Sequence, residues 1–321
     1  MKKTRRILLQ WAPAFLFSSV DAQTPVWPSK PVRVIVPFPA GGSTDVVGRM
    51  ISARLSEELG QPFVVENRAG AGGSIGAEVV VKSPPDGYTL CVVTSSYAPN
   101  AVLYKVAYDP VKSIAPISLI SNLPLILAVN SNFKATNLKE FLEFLRAHSG
   151  ALNFASSGVG STPHLAIELL QQLTGTQVTH IVYKGESPAI NDLLAGQVHA
   201  TIGTELALGP HIKSGKLRAI AVTNAQRSFA LPDVPSIGEL VSGYGVDGWA
   251  GIWAPGGTPE DIVNRLNRAI AKILNMPDVK EKMRAGGAQP AGTSPDEFAR
   301  LISKDVATWT RVVKAANITV Q

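Results

Sequence analysis

A chain of 321 residues is longer than one ordinary domain and comfortable for two. Its 45% apolar content can fill sizeable cores, and a charged content of only 17% excludes a disordered, heavily solvated polymer. The net charge is +6, but four basic residues and one acid within the first 22 residues leave +3 for the remainder. With no dense Lys/Arg run, no nucleic-acid partner is expected.

Lys2, Lys3, Arg5 and Arg6 open the chain, and Ile7 to Val20 is largely apolar. Val20-Asp21-Ala22 then places small residues where a signal peptidase reads. Residues 1–22 are therefore expected to be a signal peptide, cleaved near Ala22, that delivers the protein to the periplasm. Pro13 argues against a core helix, and the apolar stretch is short for an anchor. The Arg5-Arg6 pair leaves both general and twin-arginine export open. No later apolar run reaches the ~18 residues of a membrane span. The sole cysteine, Cys91, excludes an internal disulfide and reads as a small core residue in the strand Thr89–Val93. The five histidines are scattered, so neither a metal site nor a cofactor is expected.

In chain order, Val32–Val36 reads as a strand, and a helix begins near Asp45 with Val47, Met50, Ile51 and Leu55 on one face. Gly60 and Pro62 end that helix. Phe63–Glu66 is a strand, Arg68–Gly76 a Gly-rich loop and Ala77–Lys82 a short helix. Pro84-Pro85-Asp86-Gly87 turns the chain into a buried strand, Tyr88–Thr94. Ile117–Ile120 and Leu125–Val129 continue the strand pattern. From about Asn130 a second unit alternates strands (152–155, 179–183, 198–202, 217–222) with helices, including ones opening at Thr162-Pro163 and Ser187-Pro188. This alternation predicts parallel sheets flanked by helices, an α/β architecture. After a Pro/Gly-rich stretch from Leu231 to Gly248, helices start at Thr258-Pro259 and Ser294-Pro295 with apolar faces that need a sheet to cover. The expected division is a discontinuous first domain, 30–127 plus 225–321, and a second domain, 128–224. Hinges are expected near Leu127–Asn130 and Val222–Asn224.

Three strand-to-helix junctions share one design: Pro37 to Thr44, Ala155 to Thr162, and Tyr183 to Ser187. Each sets glycine and hydroxyl residues where a helix starts, exposing unpaired N–H groups at the positive end of its dipole. Such a junction can hold a carboxylate without a charged side chain, and ligands gather at these strand ends in α/β sheets. Plain capping by Ser43 or Thr44, Thr162 and Ser187 is the competing reading. Capping needs one hydroxyl, however, and leaves Gly41-Gly42 and Gly158 with Gly160 unaccounted for. Asp45 reads as a helix-terminal acid, with a ligand amine as its alternative partner. Gly72-Gly73-Ser74-Ile75-Gly76 matches a nucleophile elbow but does not follow directly on a strand. The nearby glycines also lack the spacing and acidic partner of a dinucleotide loop.

Pro37–Asp45, Val65–Ala77, Pro84–Leu90, Ala155–Leu165, Tyr183-Lys184-Gly185 and Leu231–Pro235 together closely resemble the Bug family, the TctC-like substrate-binding receptors of tripartite tricarboxylate transporters. The resemblance runs in order over essentially the whole chain after the export segment. It implies a two-domain periplasmic-binding-protein architecture of the type II, Venus-flytrap kind, with the ligand cleft between the domains. Carried over by position, Phe38, Ala40, Gly41, Gly42 and Ser43 would line one side of that cleft. Ser157, Gly160, Ser161, Thr162 and His164 would line the other, with Thr94, Ser95 and Trp249 at strand ends. Gly203 and Thr204 occupy a loop that faces the ligand in relatives. Gly203 stands where the family often has Asp, which weakens a case for a ligand amine there.

The expected function is a periplasmic solute-binding protein, a monomer and not an enzyme. It would capture a small carboxylate, an organic or amino acid, by hinge closure and pass it to membrane permease subunits. The alternatives are a ligand-sensing receptor for a membrane signalling system and an exported serine hydrolase using Ser74.

Overall fold

Four β-branched residues in a run of five start the first sheet. In β1 (Val32–Val36) every residue except Arg33 is buried, the pattern of a strand covered on both faces. The structure, a computed structural model, describes residues 27–228 and 231–316, so the expected signal peptide lies outside the described residues. After β1 come α1 (Ser43–Leu59), β2 (Phe63–Asn67), α2 (Ser74–Val81), β3 (Thr89–Thr94), α3 (Tyr97–Leu103) and β4 (Ile114–Asn122). Helix α1 buries Val47, Ile51 and Leu55, and ends where Gly60, at φ 70°, returns its N–H to Ser56 O.

The second lobe runs through β5 (Leu125–Asn130), α4 (Leu138–Ala147), β6 (Asn153–Ser156), α5 (Thr162–Thr174) and β7 (Thr179–Val182). It continues through α6 (Glu186–Leu194), β8 (Ala200–Thr204), α7 (Glu205–Lys213) and β9 (Leu217–Val222). The chain then returns to the first lobe as β10 (Trp249–Pro255), α8 (Glu260–Asn275), α9 (Pro277–Ala285), β11 (Gln289–Pro290) and α10 (Pro295–Ala316).

The first sheet has the order β11-β4-β10-β3-β1-β2 and the second β7-β6-β8-β5-β9. Both are mixed rather than purely parallel. β10 runs antiparallel between β3 and β4, and β5 runs antiparallel between β8 and β9. Each inserted strand is where the chain enters a sheet from the other lobe, so it arrives from the cleft end and must run backwards. The tail helices cover the first sheet: Ile262, Leu266, Ile270 and Ile273 share one core with Val34, Leu90 and Val92. On the opposite face Phe298 and Ile302 pack with Ile35 and Cys91. Each such aliphatic side chain contributes about 1.5–3 kcal/mol by leaving water.

The division of the chain differs from the expected one in two places. β5 belongs wholly to the second sheet, so the first crossing lies at Leu123-Pro124, ahead of residue 127. Ile237, Val241, Tyr244 and Val246 pack into the core of the second lobe, so the return crossing lies near Gly248 instead of residue 225. The expected hinge segments Leu127–Asn130 and Val222–Asn224 are held in consequence: the first is strand, and Thr223 is tied through its Oγ1 to Val246 O at 2.8 Å.

Candidate functional site

Five strand-to-helix turns open into one cavity between the lobes. β1–α1 contributes Phe38, Pro39 and Gly42 to Thr44, and β3–α3 contributes Thr94, Ser95 and Ser96. From the other lobe come Ser157, Thr162 and Pro163 at β6–α5, Glu186 at β7–α6 and Thr204 at β8–α7. Leu123, Leu125, Gly248 and Trp249, where the chain crosses between lobes, close the back. The space enclosed is about 40 Å³.

The β1–α1 turn is braced from behind. Asp45 is buried and accepts hydrogen bonds from Gly41 N–H (3.0 Å), Arg49 Nε (2.9 Å) and Asn67 Nδ2 (2.9 Å). Asn67 Nδ2 also donates to Phe38 O at 2.9 Å. Burial pushes the Asp45 carboxyl up, but the bonds from Arg49, Gly41 and Asn67 outweigh it and hold the group below its ordinary value. Asp45 is therefore a structural brace turned away from the cavity. Gly42 is the N-cap of α1 and offers no side-chain cap, so the expected capping by Ser43 or Thr44 is not what these hydroxyls do. Ser43 instead reaches across the cleft: its Oγ donates to Glu186 Oε2 at 2.7 Å and its N–H to the same atom at 3.2 Å.

Glu186 collects two more donors from its own lobe, Thr204 N–H to Oε1 (2.6 Å) and Thr204 Oγ1 to Oε2 (3.3 Å). It is the first residue of α6, whose N-cap is Gly185 with no side-chain cap, so Ser187 is not the cap either. Thr204 is the N-cap of α7. Three helix starts thus converge on one carboxylate, each presenting the positive end of its dipole.

The second junction differs. Ser161 caps α5 by accepting His164 N–H at 3.3 Å, Pro163 has no N–H, and Ser161 N–H bonds Gly158 O at 3.1 Å. Thr162 N–H goes across the cleft to Ser96 Oγ at 3.0 Å, and Ser95 Oγ and Thr162 Oγ1 lie 2.8 Å apart. This side therefore offers rotatable hydroxyls to the cavity, not the free backbone N–H groups expected from its glycines. Trp249 turns its indole N–H onto Asp305 Oδ2 (2.9 Å) and so presents ring carbons to the cavity.

Of the residues expected at the site, the structure gathers Phe38, Gly42, Ser43, Thr94, Ser95, Ser157, Thr162, Thr204 and Trp249 around the cavity, and leaves six out of its wall. Ala40 and Gly41 are exposed beside it, with Ala40 O accepting from Ser187 Oγ at 3.2 Å. Gly160 packs on the other lobe, where an added Cβ would lie 2.4 Å from Asn100 Oδ1. Ser161 is fully buried by its capping role. His164 faces away: Nδ1 accepts Gly160 N–H at 3.0 Å, Nε2 lies 3.4 Å from Glu168 Oε1, and its ring stacks on His180 at 4.2 Å. Gly203 is backed by Leu208 and by Glu186 Oε1, 3.4 Å from where a Cβ would sit. Gly203 itself brings no acid to this wall, and Glu186 places a carboxylate beside it. Glu186 was legible as part of a junction, but an acid opening a helix looks like ordinary dipole compensation, and no local signal tells that it crosses to Ser43.

Both lobes belong to one type of molecule. The sequence model of the tripartite tricarboxylate transporter family receptor matches residues 47–318. The chain belongs to that receptor family. Protein BugT of Bordetella pertussis (strain Tohama I) is 40% identical to it over 310 residues, 94% of each chain. Two solved structures are similar throughout: R. palustris Rpa4515 with adipate, at 38% identity and TM-score 0.87, covers 91% of this chain and 99% of its own. MatC (Rpa3494) from Rhodopseudomonas palustris with bound malate, at 34% identity and TM-score 0.84, covers 89% and 100%. The family resemblance read from the sequence and its two-domain α/β architecture are both borne out. The elbow reading fails on geometry, since Ser74 of this receptor-family chain begins α2 after a 3-10 turn, Ala71–Gly73, and not at the end of a strand.

Proposed function

We propose that the chain is an exported periplasmic receptor. It closes its two lobes on a small carboxylate and presents it to the membrane permease subunits of a tripartite transporter. The observation that carries this reading is the Ser43 N–H and hydroxyl at the start of α1, aimed into the interlobe cavity and already partnered by a carboxylate oxygen. Each such charge-assisted bond contributes about 1.5–3 kcal/mol. The adipate and malate of the two similar structures carry the carboxylate group that this reading assigns to the ligand. Opposite lies the hydroxyl group of Ser95, Ser96 and Thr162, joined across the lobes by hydrogen bonds that a ligand bridging both lobes replaces. A thermal-shift screen of small carboxylates tests the reading. A ligand that binds only the folded protein stabilises it by roughly 2.7 kcal/mol at a hundredfold excess over Kd. No shift with any carboxylate contradicts it.

A further inference from the structure

The start of α1 is the best-formed anion seat in the cleft, and the chain has placed its own acid there. Glu186 accepts from four donors: the N–H and hydroxyl of Ser43 and the N–H and hydroxyl of Thr204. It is rooted in the second lobe, as the first residue of α6, with Oε1 held by Thr204 N–H at 2.6 Å. When the lobes part, the tie to Thr204 stays within one lobe, and Glu186 travels with that lobe as part of the cleft wall. With the carboxylate seated, the cavity of about 40 Å³ is too small for a dicarboxylate, so a ligand enters while the lobes are parted and before the Ser43–Glu186 contact re-forms.

A ligand reaching both lobes then meets two different ends. At the start of α5, Ser95, Ser96 and Thr162 are buried hydroxyls that can rotate to donate to a carboxylate, with the Thr162 N–H beside them. At the start of α1 the ligand meets Glu186. A second ligand carboxylate there must either strip Glu186 of its Ser43 bonds or lie against a like charge. A nitrogen donor brings no like charge and need not displace Ser43, because Glu186 Oε1 accepts only the Thr204 N–H and has a lone pair left for it. The adjoining larger space of about 1090 Å³ shares Ser95, Thr162 and Trp249 with the cavity. Its charged lining, Glu168, Asp247 and Asp305 with the single Lys304, is no better a seat for a second anion.

We infer that Glu186 sets the ligand class: a molecule with one carboxylate and, at its other end, an N–H donor, in preference to a dicarboxylate. This rests on the carboxylate-receptor reading given above. The test is isothermal titration calorimetry of the mature chain with succinate, glutarate and adipate, each beside its own monoamide, which is matched in length and loses one charge. The wild-type protein is expected to bind the monoamide of the best-fitting length about tenfold or more tighter than the diacid. Glu186→Ala, which clears the seat, and Glu186→Gln, which keeps its shape without the charge, are expected to erase or reverse that preference. A wild-type preference for the diacids, or a ratio unchanged in both variants, overturns the assignment of Glu186 and leaves carboxylate capture standing. If all three proteins melt cooperatively yet bind neither series, the receptor reading fails and this inference fails with it.

Discussion

Ser43 and Glu186, on opposite lobes, meet across the cleft with the serine hydroxyl donating to the glutamate carboxylate at 2.7 Å. The pair shows what the β1–α1 turn is built to do. A helix start capped by glycine and left without a side-chain cap has N–H donors to spare, and a carboxylate is the group that takes them. Contact between the lobes and the seating of a carboxylate, here that of Glu186, therefore coincide at this position.

Gly160 tests the closure directly. Its φ of +75° disfavours any side chain, and an added Cβ would fall 2.4 Å from Asn100 Oδ1 and 2.5 Å from Leu103 Cδ1 of the facing lobe. Gly160→Ala therefore adds about 1–2 kcal/mol of backbone strain and wedges the lobes apart. Carboxylate affinity is expected to fall at least about tenfold, with a larger radius of gyration in small-angle scattering under saturating ligand. Unchanged affinity would mean that this loop does not approach α3 in the bound state.

Asp45 ties the turn's position to pH. Its folded-state pKa lies below the ordinary value of 3.8, because the bonds from Arg49, Gly41 and Asn67 outweigh the opposing effect of burial. The stability it contributes is present above that ordinary value and is lost as pH falls through the lowered one. Thermal melts between neutral and strongly acidic pH should show the wild type losing its advantage over Asp45→Asn as the pH drops. A constant difference across the range contradicts the role.

His180 acts in a different window. Burial, with the neighbouring His164 adding to it, pushes its imidazole down from 6.5 to about 4. The unfolded chain then binds the proton first, so stability is full above pH 6.5 and is lost as the pH falls towards 4. The loss amounts to ~2 kcal/mol after allowing for the ring's partial contact with solvent. NMR titration should find His180 neutral at pH 6, and a His180→Gln variant should flatten this part of the pH–stability curve. A His180 that titrates near its ordinary value rejects the account.

Much of the fold was readable because its signals are local. The 3.6-residue spacing of Ile262, Leu266, Ile270 and Ile273 announced a helix in need of a sheet, and the β-branched run Val32–Val36 announced a strand. The antiparallel insertion of β10 and β5 was not readable, since pairing partners distant along the chain leave no mark in a strand's own residues. At the site, hydroxyls and glycines identified the turns, yet they could not separate Gly42, which lines the cavity, from Gly160, which packs on the facing lobe. Helical spacing likewise placed His164 near the start of α5 without revealing that its ring turns away to stack on His180.

Gly42 gives the most direct test of the central claim. Its φ is −80°, and a Cβ there would meet nothing closer than 3.8 Å, so the turn itself tolerates a side chain. In Gly42→Leu the longer side chain enters the cavity at the start of α1. Calorimetric titration with a carboxylate that binds the wild type should show affinity reduced about a hundredfold or more at an unchanged melting temperature without ligand. Wild-type affinity in a Gly42→Leu protein that folds normally would show that the ligand is not held in the cavity at the start of α1.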